Sequence, residues 1–139
     1  MIKAFARRTL ATASVGMILF LASGSSAQQT PGPTRTVLLR HDTTVPDHEA
    51  VLLRAEIPAG GREGRHTHPG LLLGYIEQGT LTLDYEGKPS AMYKAGESFF
   101  VEAGKVHEGI NTGNVAVKVL ATLVVKKGAA LTTPAAAAK

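Results

Sequence analysis

Apolar and polar residues alternate strictly along Thr80-Leu-Thr-Leu-Asp84, the period-two pattern of a strand with one buried face and one solvated face. Leu71-Leu72-Leu73 and residues 115–125 are instead apolar at both parities, as strands in a two-layered or closed β structure are. Short runs of the same kind cover 37–39, 50–57, 98–101 and 108–111. Pro58-Ala-Gly-Gly61, Gln78-Gly79, Glu86-Gly87, Lys94-Ala-Gly96, Ala103-Gly104 and Asn111-Thr-Gly-Asn114 punctuate the series. Short strands about ten residues apart, with no amphipathic helical period among them, predict an all-β fold, a small antiparallel barrel or sandwich. Gly79 and Gly104 fall where the chain must reverse tightly, the conformation with positive φ that is cheapest for glycine.

The first 27 residues do not share this pattern. Lys3, Arg7 and Arg8 open the chain, Val15-Gly-Met-Ile-Leu-Phe-Leu-Ala22 follows, and Ser25-Ser-Ala27 supplies small residues for a peptidase. That three-part order predicts a secretory signal peptide over 1–27, with the mature protein starting at Gln28 in the periplasm or outside the cell. The apolar run is far short of the roughly 20 residues that span a bilayer. Arg7-Arg8 faintly resembles a twin-arginine signal. Gln28–Thr34 reads as a Pro/Gly-rich linker within an N-terminal segment, 28–49, that also holds the first strand. The barrel is expected over 50–127, and 128–139 as a flexible tail with no apolar period.

The leader also changes the charge. It holds three of the 15 basic residues and none of the 11 acidic ones, so the +4 of the full chain falls to +1 after cleavage. Such a balance points to no nucleic-acid partner and no membrane partner once the leader is gone. Cysteine is absent, which excludes disulfides, thiolate chemistry and iron–sulfur clusters and leaves stability to a packed core.

The chemistry is concentrated in Gly60-Gly-Arg-Glu-Gly-Arg-His66-Thr-His68-Pro-Gly70. Histidines at i and i+2 of an extended chain share a face, with Cα atoms about 6.5–7 Å apart, close enough to meet at one metal ion. A surface pair beside a Gly/Pro turn explains the same two residues equally well. The second segment is Gly96-Glu-Ser-Phe-Phe-Val-Glu-Ala-Gly104-Lys-Val-His107-Glu-Gly-Ile-Asn111. Together the two resemble the paired motifs of the cupin family, G-x5-H-x-H-x3,4-E-x6-G and G-x5-P-x-G-x2-H-x3-N. Gly60, His66, His68 and Gly79 match the first; Gly96, Gly104, His107 and Asn111 match the second. The resemblance covers residues 51–131 and implies a double-stranded β-helix, jelly-roll-like, with His66, His68 and His107 as ligands of one divalent metal (iron, manganese, nickel, copper or zinc). It places His107 across the barrel from the other two.

Two positions depart from the motifs. The acidic ligand of the first falls at Leu72, and the proline of the second is Glu102. Loss of the carboxylate leaves three neutral imidazoles, a set that favours anionic or bidentate ligands and open coordination positions. Glu77 and Glu102 are the candidate replacements, and both are expected to face solvent. His41 and His48 read as surface residues. Leu72, Ile76 and Phe99 are expected around the site and Tyr75 away from it, with Asn111 either orienting a ligand or satisfying backbone groups at a strand end. Three functions fit: a dioxygenase-like oxidoreductase on a small organic molecule, a non-catalytic module binding a metal or small ligand, or an isomerase or decarboxylase on the same barrel. Small cupins commonly pair through sheet edges, and an open strand edge is a liability, so a homodimer is expected.

Overall fold

Alternation along 48–57 and 117–126 drives the architecture, because each run buries every second residue and must find a second apolar layer. A computed structural model describes residues 32–136. The expected signal peptide lies outside the described residues. The strands are β1 (Thr34–Asp42), β2 (His48–Ile57), β3 (His66–Thr67), β4 (Leu72–Gln78) and β5 (Thr80–Tyr85), then β6 (Ala91–Lys94), β7 (Ser98–Val101), β8 (His107–Ile110), β9 (Val117–Lys126) and β10 (Thr133–Pro134). No helix occurs among the described residues.

The strands form two five-stranded sheets, ordered β1-β2-β9-β4-β7 and β10-β3-β8-β5-β6, with every pairing antiparallel. Val51, Leu53 and Ile57 of β2 and Val117, Val119 and Leu123 of β9 face Leu81, Leu83 and Tyr85 of β5 across one core. The expected all-β double-stranded helix is the fold observed. Gly79 and Gly104 adopt φ of 80° and 72° at the two reversals.

The sheets reach beyond 50–127 at both ends. β1 adds an edge strand paired along its length with β2. Residues 128–136, expected as the start of a loose tail, run back so that Thr133 and Pro134 pair with Thr67 and His66. Three strands had no counterpart in the sequence pattern: β3, β6 and β10. Two of them are two residues long, too short for a period to register.

Candidate functional site

His66 opens β3 and His107 opens β8, and the two are direct cross-strand partners. This corrects the expectation that His107 stands across the barrel: the histidines lie on neighbouring strands of one sheet. His68 follows two residues after His66 on the same face. The three rings close into a triangle with centroid separations of 4.9, 4.3 and 4.8 Å, and their potential ligand nitrogens all lie within 4.8 Å of one another. All three side chains are buried.

Each ring is fixed by its Nδ1 atom. His66 Nδ1 lies 2.7 Å from the carbonyl oxygen of Gly64, His68 Nδ1 lies 2.7 Å from that of Leu131, and His107 Nδ1 lies 3.0 Å from that of Lys105. A carbonyl only accepts, so each Nδ1 carries the proton and each Nε2 keeps a lone pair. Burial pushes all three imidazoles below their ordinary range, against the upward pull of those carbonyls, and lowers His107 to about 4. At neutral pH the cluster is therefore three neutral imidazoles, each with Nε2 available as a donor. That is the form a transition metal binds, so the residues fit a metal ion.

The cavity around the cluster is small, with about 40 Å³ open to water-sized groups. That is room for about three waters. Leu53, Leu72, Leu81, Leu83, Phe99 and Val119 supply apolar wall. Leu72 occupies the wall as its strand parity predicted, with no carboxylate in its place. Tyr75 points outwards and is 46% exposed. Neither candidate acid approaches the histidines. Glu77 is on the outer surface, paired with Arg54 at 2.7 Å, and Glu102 is exposed and accepts a hydrogen bond from the Tyr85 hydroxyl. His41 is exposed and His48 partly so, each bonded to a nearby backbone carbonyl. Asn111 is 1% exposed and donates to the carbonyls of Ile57, Pro58 and Val115, so it ties strand ends together and does not line the cavity beside the histidines.

Two charged residues in the wall escaped sequence reasoning. Arg35 sits on β1 opposite the small Ala55, a cavity residue, and its Nη2 donates to Glu63 Oε1 at 2.8 Å. Glu63 is held from behind by its own N–H, which donates to the Gly109 carbonyl at 2.9 Å. Burial pushes the Glu63 carboxyl up, and Arg35 opposes that rise. Arg35 was hidden because it falls between the linker expected to end at Thr34 and the strand run expected to begin at Val37, whereas β1 spans Thr34–Asp42. Glu63 stands three residues before His66, and the left-handed Gly64 (φ 75°) resets the face between them, which a simple alternation misses.

The model of the family described as "Cupin domain" matches residues 53–126, which include all three histidines. No curated protein matches the sequence. A conserved protein with a double-stranded β-helix domain from Klebsiella pneumoniae superposes with a TM-score of 0.58 at 21% identity, covering 73% of this chain and 85% of that one. A cupin domain from Bordetella pertussis gives 0.56 at 22% identity, over 68% and 94% of the two chains. Oxalate oxidase in complex with the substrate analogue glycolate gives 0.56 at 21% identity, over 71% of this chain and 57% of that one.

Proposed function

The chain belongs to the cupin domain family, and from that premise we propose that it holds one divalent transition-metal ion on Nε2 of His66, His68 and His107 and serves as a dioxygenase-type oxidoreductase for a small organic molecule. The observation that carries this reading is the set of three Nδ1–carbonyl hydrogen bonds, which together turn three lone pairs away from the backbone. A surface pair of histidines would need no such fixing, and buried imidazoles without a partner would be costly.

An ion bound there would supply Lewis acidity and open coordination positions. The chain's own residues do the rest. Neutral imidazoles leave the charge of the ion undiminished, which favours an anionic or chelating ligand, and the leucine wall restricts that ligand to a few non-hydrogen atoms beyond its coordinating ones. Oxalate oxidase lends the fold to this reading, and its substrate is not transferred. The Irving–Williams order makes copper or zinc the tightest occupants of a nitrogen site, whichever ion is used in the cell.

Elemental analysis beside oxygen consumption tests the proposal, with small diketones and small thiols as the substrate panel. One metal per chain is expected, falling well below half on replacing any of the three histidines by alanine while the β-sheet spectrum persists. Metal without oxygen uptake across the panel would refute the oxidoreductase reading and leave a binding module or a non-oxidative enzyme on the same site. Failure to take up iron, manganese, nickel, copper or zinc would refute the metal site itself.

A further inference from the structure

The strongest unexplained feature is a buried carboxylate beside the histidines. Glu63 is 13% exposed at its side chain and lines the same cavity as His66, His68 and His107. Its Oε1 is occupied by Arg35, whereas Oε2 accepts no hydrogen bond among the described residues. Glu63 stands outside the group formed by the three histidines, whose ligand atoms lie within 4.8 Å of one another.

Space has been made for that oxygen. A Cβ on Gly109 would stand 2.6 Å from Glu63 Oε2, closer than van der Waals contact allows, and Gly109 is buried with an unexceptional φ. The room left at Gly109 is shared by the carboxylate with the side-chain ends of Leu81 and Ile57, which would stand 3.1 and 3.2 Å from the same Cβ. Oε2 is not sealed off, since Arg65 Nε is the one fully buried polar side-chain atom without a partner among the described residues, so Oε2 stays open to a donor from outside the protein.

We propose that Glu63 Oε2 is a ligand-recognition point that accepts a hydrogen bond from a protic group, a hydroxyl above all, on the small molecule seated against the three histidines. This rests on the proposed metal site and adds the class of ligand: a small acid or chelator carrying a hydroxyl next to its coordinating oxygens. Arg35 holds the carboxylate in place and cancels its charge, so an anionic ligand is not repelled. Apart from these groups, the three histidines and Thr132, the lining is apolar, so the walls offer few other polar partners.

Glycolate and acetate differ by that one hydroxyl, and both can be titrated into the cobalt-loaded full-length protein by following the cobalt visible spectrum. Wild type should prefer glycolate. Glu63→Gln keeps volume and the Arg35 bond, since arginine takes the amide oxygen and turns the NH₂ towards the cavity. The glycolate-to-acetate affinity ratio should then fall about tenfold, the worth of a hydrogen bond to a charged acceptor. Gly109→Ala leaves the acid chemically intact but displaces it, and should lower the ratio in the same direction if Glu63→Gln fails to fold. Cobalt uptake with a ratio unchanged within twofold, or with no response to glycolate, overturns this proposal alone. No cobalt uptake by wild type overturns it together with the metal site.

Discussion

A histidine that is to bind metal must give up its proton at one nitrogen and stay neutral in a medium that gives it no water. Here burial does the second job and backbone carbonyls do the first. The cost appears in the metal-free protein. An unfolded histidine protonates near 6.5, whereas folded His107 does so near 4, so between those values the unfolded chain binds more protons. Stability is therefore full above pH 6.5 and is lost as pH falls towards 4. Taking chelator-treated protein from about pH 7.5 to about pH 5 should remove roughly 2 kcal/mol through His107 alone. Glu63 works in the opposite sense: its raised carboxyl adds stability at low pH that is lost as pH rises through its folded value. Comparison with His107→Gln cancels that contribution. Denaturant midpoints at the two pH values should show wild type losing roughly 2 kcal/mol more than the variant, and equal losses would contradict the burial account.

Each histidine owes its orientation to a different element, and the elements differ in how legible they were. Burial alternates along β2, β5 and β9, but only β5 records that alternation strictly in sequence; β2 and β9 were legible as apolar runs. The histidines were found through motif spacing, and Leu72 through parity. What the pattern could not show was pairing at a distance: that His66 and His107 are in register, that Arg35 on the edge strand reaches a cavity residue, and that residues 128–136 return to the site. Backbone acceptors carry no sequence signature at all. The Leu131 carbonyl is the clearest case, since it fixes His68 from 63 positions away, and neighbouring Thr132 lines the cavity. Ending the chain after Lys127 should leave the two main sheets intact, for β10 contributes only two residues. It should nonetheless weaken metal binding by about ten- to a hundredfold, the usual cost of removing the partner that orients a ligand. Competition with a chromophoric chelator would measure it; unchanged affinity would mean that His68 needs no outer partner.

At the scale of the molecule, the inner faces of the two sheets satisfy each other and the outer face of one does not. Leu39, Leu52, Thr122, Leu73 and Phe100 stand in register across β1, β2, β9, β4 and β7, a single row over the whole five-stranded sheet. Leu39, Leu73 and Phe100 are each more than half exposed, and Leu71, Tyr75 and Val124 add to the same face. β1 is exposed at all nine of its residues. Scattered surface leucines are ordinary, but a contiguous apolar patch across an open sheet face marks an association surface. A second copy is the simplest occupant, since a row across a sheet packs on its own twofold image without a new partner having to be matched. The Arg54–Glu77 ion pair on the same surface gives the patch a polar rim, as protein interfaces have. We therefore expect a dimer joined through this face, with light scattering at micromolar concentration giving twice the mass of one chain. Leu73→Asp should halve that mass and, because Leu73 is solvent-exposed in the single chain, change the stability of the isolated barrel by less than about 1 kcal/mol. Wild type running at the mass of one chain would leave the row of apolar residues without the partner assigned to it, and Leu73→Asp remaining a dimer would move the contact to another surface.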